Sequence, residues 1–236
     1  MSLLDDLIRE TDAIVKGKWT RRDGDVIPKT EDVGLDKDGV DLEATFLYAD
    51  LADSTELAIN NQTIAAEIVK AYLMGTTRII RELGGHIRSF DGDRVMGVFF
   101  KDMPNTHAAE AALKINFFFD AVLSTAFKKS YPTLSLSQTV GIDTSKVTVV
   151  RTGIRRNNDL VWIGRAPNVA AKLSSIREPG YSSYISETVF LKLHDDSKIS
   201  RFNATPGMLM WEAMNWTDGT KYGVAKIFKS RWWWRP

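Results

Sequence analysis

The sequence predicts an α+β fold in which helices pack on a mostly antiparallel sheet. Two observations lead to this prediction. Strand-like and helix-like apolar patterns follow one another in the order strand, helix, hairpin, helix, hairpin, helix, which is typical of an α+β sandwich. The first hairpin carries Asp91-Gly92 at its centre, a dipeptide strongly preferred in tight turns, so the strands beside it are antiparallel neighbours.

The first half of the chain contains two predicted helices and one strand. Residues 2–16 place leucine and isoleucine at helical intervals, which predicts an amphipathic helix for docking or dimerisation. Residues 17–40 are rich in Gly, Asp and Lys and form a structured lead-in. Residues 44–49 have the composition of a buried strand. The polar residues that follow predict the start of a helix that runs toward Leu83, with a break near Asn60-Asn61.

The second half continues the alternation of strands and helices after Gly84-Gly85, which ends the preceding helix. The patterns predict strands at 86–90 and 94–100, a helix at 106–129, a second hairpin of 134–143 with 146–152, a short strand at 160–163, and a helix at 167–177. Short strands and a helix are expected in the tail. We therefore divide the chain into an N-terminal helix and lead-in at 1–40, a catalytic domain at 41–200, and a C-terminal extension at 201–236 that packs on the core.

Composition excludes several classes of protein. The chain has 236 residues, 44% of them hydrophobic and 26% charged, as in ordinary soluble globular proteins. It has no cysteine, which excludes disulfides and zinc-thiolate sites, and no apolar run approaches the roughly 18 residues of a membrane span. Its first residues lack a secretory pattern, so we expect a cytoplasmic protein. A net charge of +1 argues against nucleic-acid binding. Two features would favour it: the adjacent cations Arg155-Arg156, and the terminal run at 231–235, in which three tryptophans lie between two arginines and could stack on bases.

Two aspartates provide the first indication of chemistry. Asp50 ends the predicted strand at 44–49, and Asp93 lies beside the turn of the first hairpin. If these strands are neighbours, the two carboxylates converge and form a site for Mg²⁺ or Mn²⁺, which prefer oxygen ligands. The small polar turn after Asp50 offers backbone N–H groups that can cradle phosphate. Its residues are Ala52, Asp53, Ser54 and Thr55.

A third motif lies on the helix predicted at 167–177. Asn168 and Lys172 are four residues apart and therefore share one helix face. An amide and a cation in this arrangement can orient a ribose and neutralise charge that develops on a phosphoryl group. An exposed polar helix face would show the same spacing.

Taken together, these motifs resemble the class III nucleotidyl cyclase domain over roughly residues 41–195. The matching segments are YADLADST (48–55), GGHIRSFDGDRVMGVFF (84–100), GIDTS (141–145) and WIGRAPNVAAKLSS (162–175). The resemblance implies a ferredoxin-like core and a head-to-tail homodimer with composite sites at the interface. It also implies two divalent metal ions, held by Asp50, Asp93 and the backbone carbonyl of Leu51. Asn168 takes the place of the asparagine that acts in the transition state. Lys172 replaces the family's phosphate-binding arginine, which keeps the charge but loses the bidentate fork.

Departures from the purine cyclases point to the substrate. The lysine that reads adenine is replaced by Ser89, and a second base-reading acid is replaced by Val161, with Trp162 beside it. The whole chain resembles the pyrimidine cyclases of bacterial anti-phage defence, which implies conversion of UTP, or as second choice CTP, to a cyclic monophosphate that acts on a separate effector protein. The candidate base- and substrate-binding residues are Tyr48, Ser89, Val161, Trp162 and Arg165.

Two other functions remain open at this point. One is a purine cyclase with unusual base contacts, which the turnover of ATP or GTP would reveal. The other is a catalytically silent cyclase-like domain that binds nucleotide and regulates a partner. The retained Asp50 and Asp93 argue against the silent domain, while Lys172 argues modestly for it.

Overall fold

The computed structural model describes residues 2–52, 54–200 and 206–236. It confirms the predicted α+β class with a mostly antiparallel sheet. The α-helices are α1 Leu3–Lys16, α2 Ser54–Asn60, α3 Gln62–Glu82, α4 Pro104–Phe117, α5 Thr125–Ser130, α6 Arg165–Leu173 and α7 Glu187–Leu191. The strands are β1 Thr20–Asp23, β2 Asp38–Leu51, β3 His86–Asp91, β4 Arg94–Phe99, β5 Gln138–Ile154, β6 Asn157–Gly164, β7 Ser183–Ser186, β8 Glu212–Asn215 and β9 Lys226–Ser230.

The chain forms two compact units, and β2 and β5 each contribute residues to both. The first unit contains the chain up to Glu43 together with Lys146–Gly164, and the second contains Ala44–Ser145 with Arg165–Pro236. Residues 146–164 therefore group with the N-terminal segment, whereas the sequence placed them in the catalytic domain. We describe each unit by itself.

The second unit contains most of the sheet, in the strand order β3-β4-β2-β5-β7-β9-β8. Strand β4 is antiparallel to both β2 and β3, and β7 is parallel to β5. The first four strands along the chain in this unit, with α3 and α4 between them, have the order and connections of a ferredoxin-like fold. The first predicted hairpin is confirmed: Gly92 lies in its turn with φ +61°, a backbone angle that glycine adopts without strain.

The core of the second unit lies where α3 and α4 pack on the sheet. Helix α3 buries residues at helical spacing, among them Ile68, Tyr72 and Ile80, against α4 and the strands. Gly75 on α3 allows a close approach of Phe118, because a Cβ there would lie 2.2 Å from the ring. Helix α4 ends at the residue before Phe118, and the chain continues as a π-helical segment and then as α5, so the helix predicted at 106–129 is present in three parts. The helix break predicted near Asn60-Asn61 is confirmed, since α2 ends and α3 begins there.

The second hairpin predicted from the sequence is wrong. Residues 138–154 form one continuous strand, β5, and its antiparallel partner is β6. The turn that joins them lies at Arg155-Arg156, where Arg156 adopts φ +76°. The turn predicted at residues 144–145 lies within β5. Beside it, the fully buried carboxylate of Asp143 forms an ion pair with Arg165.

The first unit contains the predicted N-terminal helix, which is confirmed as α1. Ser2 caps it through a capping box with Asp5, and none of its residues is buried. Strand β1 pairs in parallel with the first residues of β2, and Arg21 binds the carboxylate of Asp41 there. Across the described residues, no helix combines the length and apolar character that crossing a membrane requires.

The last described residues, 206–236, pack on the core of the second unit. Strand β9 pairs with both β7 and β8. Beyond it, Trp232 and Trp234 pack against the core cluster, and the backbone N–H of Trp234 donates to the carbonyl of Leu113 at 3.0 Å. The tryptophan run thus anchors the end of the chain to α4.

Candidate active site

The structure brings Asp50 and Asp93 to one edge of the sheet. Asp50 lies near the end of β2 and pairs in register with Arg94, the first residue of β4. Asp93 immediately precedes Arg94, so the two carboxylates occupy adjacent strand ends. Beneath them lies Tyr72, which is fully buried on α3. Burial raises the pKa of the Tyr72 hydroxyl well above its usual value, and the charges of Asp50 and Asp93 raise it further.

The Asp50 carboxylate is largely shielded from solvent and has a cationic partner. Its side chain is 14% exposed, and its Oδ2 accepts a hydrogen bond from Nη2 of Arg177 at 3.0 Å. Burial raises the pKa of the Asp50 carboxyl, and the nearby charge of Asp93 acts in the same direction, while the contact with Arg177 opposes both. Two carboxylates that repel one another in a partly desolvated position require positive charge nearby.

These donors fit a hard divalent cation. Asp50 and Asp93 offer carboxylate oxygens on adjacent strand ends, and Leu51, the last residue of β2, offers a backbone carbonyl next to Asp50. Magnesium and manganese accept such a set when substrate phosphates and water complete the coordination. Among the described residues no cluster of three or more His, Cys, Asp or Glu side chains forms a closed metal cage.

The turn after Asp50 retains only part of the predicted phosphate loop. Ala52 is buried, and its N–H donates to the carbonyl of Ser137 at 2.8 Å, so this amide is already satisfied within the protein. Asp53 lies outside the described residues, and α2 begins at Ser54. The phosphate-binding role of Ala52, Asp53, Ser54 and Thr55 stays a prediction.

Tyr48 and Ser89 lie in one row across the sheet. Each pairs in register with Met96 of β4, Tyr48 from β2 and Ser89 from β3. Directly paired residues of antiparallel strands point to the same face, and Tyr48 shares that face with Asp50 two residues later. The guanidinium of Arg94 lies 5.8 Å from the centre of the Tyr48 ring. A half-buried aromatic ring therefore borders the carboxylate pair.

Asn168 and Lys172 are exposed on α6, as their spacing predicts. Nζ of Lys172 lies 5.4 Å from the centre of the Tyr222 ring. Contact with Lys172, and secondarily with Lys221, lowers the pKa of the Tyr222 hydroxyl. Tyr222 ends a 3₁₀ segment, Thr217–Tyr222, that packs on α6 through a small apolar cluster of the second unit. The cluster thus places an aromatic ring and a hydroxyl beside the lysine that replaces the family's arginine.

The remaining predicted substrate residues occupy two different settings. Val161 and Trp162 belong to β6 in the first unit, where Val161 is exposed and Trp162 is buried. Arg165, in the second unit, forms an ion pair with Asp143 at 3.0 Å and donates to the carbonyl of Thr144 at 2.9 Å. These contacts connect the first residue of α6 to β5, so Arg165 has a structural role. A role of Arg165 in substrate binding stays a prediction.

Replacement of Asp143 by alanine is expected to destabilise the protein strongly. The variant leaves the guanidinium of Arg165, which is 31% exposed, without its carboxylate, and Ser186 loses the acceptor of its hydroxyl. Breaking a buried ion pair by removing one partner costs about 3 kcal/mol. Urea unfolding followed by circular dichroism measures the loss. Arg9→Ala, which removes an exposed ion pair on α1, is the control and should leave the midpoint unchanged. An unchanged midpoint for Asp143→Ala would show that the pair does not hold α6.

Sequence reasoning missed two residues of this region, Arg177 and Tyr222. Both are far along the chain from the residues that they contact: Arg177 from Asp50, and Tyr222 from Lys172. The replacement of an arginine by Lys172 was a usable signal for Tyr222, since a single ammonium needs a partner to fix its position. No local pattern marks Arg177.

The sequence was compared with protein-family models and with curated proteins. No protein-family model matches it. Curated proteins named uridylate cyclase align with nearly all of it. The protein of Rhodovulum sp. (strain MB263) is 34% identical over 242 residues, covering 100% of this chain and 99% of the relative. That of Xanthomonas perforans is 37% identical over 239 residues, with the same coverage. That of Burkholderia cepacia is 40% identical over 222 residues, covering 92% of this chain and 94% of the relative.

Solved structures show the same fold. The chain superposes on an adenylyl cyclase from P. aeruginosa with a TM-score of 0.69 at 22% identity, covering 81% of this chain and 95% of the other. A guanylyl cyclase gives a TM-score of 0.61 at 19% identity, with 84% of this chain and 96% of the other covered. The fold is that of class III cyclases, and the relatives at 34–40% identity align over almost their whole length. The chain belongs to the uridylate cyclase family.

Proposed function

We propose that the protein converts UTP to 3′,5′-cyclic UMP and pyrophosphate. The observation that carries the proposal is the pair Asp50 and Asp93, on adjacent strand ends of a class III cyclase fold. Full-length relatives named uridylate cyclase support the choice of base.

The reaction is an internal displacement at the α-phosphorus. The 3′-oxygen of the ribose loses its proton and forms a bond to the α-phosphorus, while the bond from that phosphorus to the oxygen bridging to the β-phosphate breaks. Pyrophosphate leaves with the electron pair of that bond. The proton passes to water or to Asp50, the candidate acceptors near the reacting atoms.

The carboxylates hold the divalent ions that this chemistry requires. When bound, Mg²⁺ or Mn²⁺ supplies acidification of the 3′-hydroxyl and neutralisation of the leaving pyrophosphate. Asp50 and Asp93, with the carbonyl of Leu51, hold the ions at the sheet edge.

The row of Tyr48 and Ser89 supports a pyrimidine base. The Tyr48 ring occupies space on the face that leads to Asp50 and offers a flat surface on which a base can stack. Ser89 stands where the purine cyclases resembling this protein carry a lysine, and its hydroxyl can both donate and accept a hydrogen bond. A small base with two exocyclic carbonyl oxygens and one ring N–H, such as uracil, suits such a partner.

The active unit that we propose is a head-to-tail homodimer. Asn168 and Lys172 lie on the exposed surface of α6, so they can serve the metal-binding edge of a second copy. In that arrangement Asn168 orients the ribose, and Lys172 neutralises charge that develops on the α-phosphate. The expected roles in anti-phage defence and on a separate effector protein stay predictions.

Selectivity among the four nucleoside triphosphates tests the choice of base. Equal concentrations of ATP, GTP, CTP and UTP are incubated together with the protein and Mn²⁺, and the cyclic products are separated by mass. When substrates compete, the ratio of the products reports the ratio of the kcat/KM values. We expect cyclic UMP as the main product. A main product of cyclic CMP would move the assignment to cytidylate cyclase, and a purine product would contradict the pyrimidine assignment.

Removal of the Tyr222 side chain is expected to slow the reaction. Tyr222→Leu takes away the aromatic face and the hydroxyl beside Lys172, so the ammonium loses its position. A cation–π contact of this kind supports a decrease in kcat of about threefold to tenfold. Tyr222→Phe keeps the ring and should lie between the leucine variant and the wild type. If Tyr222→Leu and the wild type have equal kcat, Tyr222 does not position Lys172.

A further inference from the structure

Arg177 lies in the segment between α6 and β7 and forms the cationic contact of Asp50. Its Nη2 donates to Oδ2 of Asp50 at 3.0 Å. Its Nη1 donates to the carbonyls of Ser174 at 2.6 Å and Ile176 at 3.2 Å. Nη1 of the guanidinium is therefore fixed by backbone carbonyls after α6, while Nη2 contacts the carboxylate of Asp50. The Arg177 side chain is 38% exposed, so solvent and solutes can reach it.

We propose that Arg177 is a binding group for the triphosphate, and that it acts at the metal site of its own protomer. Its ion pair with Asp50 is exchanged for a phosphate oxygen when the nucleotide and its metal ions arrive. This inference rests on the proposed function, since it names a further substrate-binding residue of the same site.

The exchange of partners by Arg177 follows from the charges around it in the protein without nucleotide and in the protein with nucleotide and metal ions bound. Without nucleotide, the positive charge of Arg177 offsets the repulsion between Asp50 and Asp93. A divalent ion on these carboxylates takes over that role and brings a highly charged triphosphate next to the guanidinium. A guanidinium has several N–H donors, so the Nη1 contacts to the backbone can persist while Nη2 changes partner.

Arg177 and Lys172 are five residues apart, but their cationic groups contact different parts of the second unit. Lys172 lies against Tyr222, and Arg177 lies against Asp50 of the same chain. In the proposed dimer, Lys172 serves the partner's metal site, whereas Arg177 stays at its own. Each composite site then receives one cation from each protomer, and Arg177 adds a charge-assisted phosphate contact through Nη2 to the charge of Lys172.

This double role predicts opposite effects of a single substitution. Arg177→Gln removes the cation that competes with metal for Asp50, so Mn²⁺ alone should bind about threefold more tightly. The same substitution removes a charged phosphate contact, so the nucleotide should bind about tenfold more weakly. A residue that only supports the fold would weaken both.

Two binding measurements on the full-length protein test the prediction. Electron paramagnetic resonance of free Mn²⁺ gives metal binding without nucleotide. Calorimetry with 2′,3′-dideoxy-UTP at saturating Mn²⁺ gives nucleotide binding, since this analogue lacks the 3′-hydroxyl and is not cyclised. Arg177→Lys keeps the charge and should restore part of the nucleotide affinity. Arg78→Gln, an exposed arginine on α3, is the matched control and should change neither value.

The outcomes separate this inference from the proposed function. Tighter Mn²⁺ binding with weaker nucleotide binding supports the inference. Unchanged nucleotide affinity in Arg177→Gln, or weaker binding of both ligands, overturns it, and cyclisation of UTP by the wild type would then still support the proposed function. A wild type that neither binds the analogue nor cyclises UTP overturns both.

Mixing variant chains tests whether Arg177 acts within its own protomer. In a heterodimer of Asp50→Ala and Arg177→Gln chains, one site lacks the carboxylate and the other has Asp50 but lacks Arg177. The mixture should therefore be no more active than Arg177→Gln sites alone. Recovery of a fully active site would show that Arg177 serves the partner's site and would overturn the proposal.

Discussion

Asp50→Asn and Asp93→Asn should each abolish cyclisation while the protein stays folded. Each variant keeps the size of the side chain but loses a negative charge that a divalent ion needs. Loss of metal-assisted charge stabilisation is expected to cost about 4 kcal/mol in the transition state, or about a thousandfold in kcat. Initial rates of cyclic nucleotide formation at several Mn²⁺ concentrations measure the effect.

Asp91→Asn is the matched control for these variants. Asp91 lies in the same hairpin, and its side chain is 82% exposed, in contact with Arg94 at 3.6 Å. It should retain most of the activity, because its carboxylate is not one of the proposed metal ligands. If Asp50→Asn or Asp93→Asn keeps wild-type kcat, the carboxylate pair is not the metal site.

Mixing two inactive variants should restore activity. Asp50→Ala chains lack one of the two proposed metal ligands, and Lys172→Ala chains lack the cation on α6. In the head-to-tail dimer, a heterodimer of the two has one site with both defects and one site with neither. Random association of equal amounts therefore predicts about a quarter of wild-type activity.

The controls for this experiment are each variant alone and a third protein that carries both changes on the same chain. All three should stay inactive, since none of them can form an intact site. Absence of any recovery in the Asp50→Ala and Lys172→Ala mixture, with heterodimers demonstrated by tagged chains, would contradict the shared-site arrangement.

Features determined by short stretches of sequence were predicted correctly. The Asp91-Gly92 turn joins β3 to β4, and the break between α2 and α3 falls at Asn60-Asn61. Alternation along β2 predicted that Tyr48 and Asp50 share a face, which agrees with the register. These features depend on turn residues, caps and side-chain period, all of which a local sequence contains.

Features determined by contacts between distant residues were missed. A hairpin turn was predicted at residues 144–145, where β5 in fact continues. Nothing nearby in the sequence shows that Arg165 will neutralise the carboxylate of Asp143 buried in this strand. The contact between Arg177 and Asp50 joins residues that are far apart in sequence, so the segment after α6 carried no signal of its place at the metal-binding edge. Tyr222 depends in the same way on how a late 3₁₀ segment packs on α6.

The central claim is that the edge formed by Asp50 and Asp93 cyclises UTP, and product analysis tests it most directly. Purified protein is incubated with Mn²⁺ and UTP alone, and the products are identified by mass and quantified. The account predicts 3′,5′-cyclic UMP and pyrophosphate in equal amounts from the wild type, and neither product from Asp50→Asn. UDP with phosphate, UMP with pyrophosphate, or an unchanged substrate would contradict it.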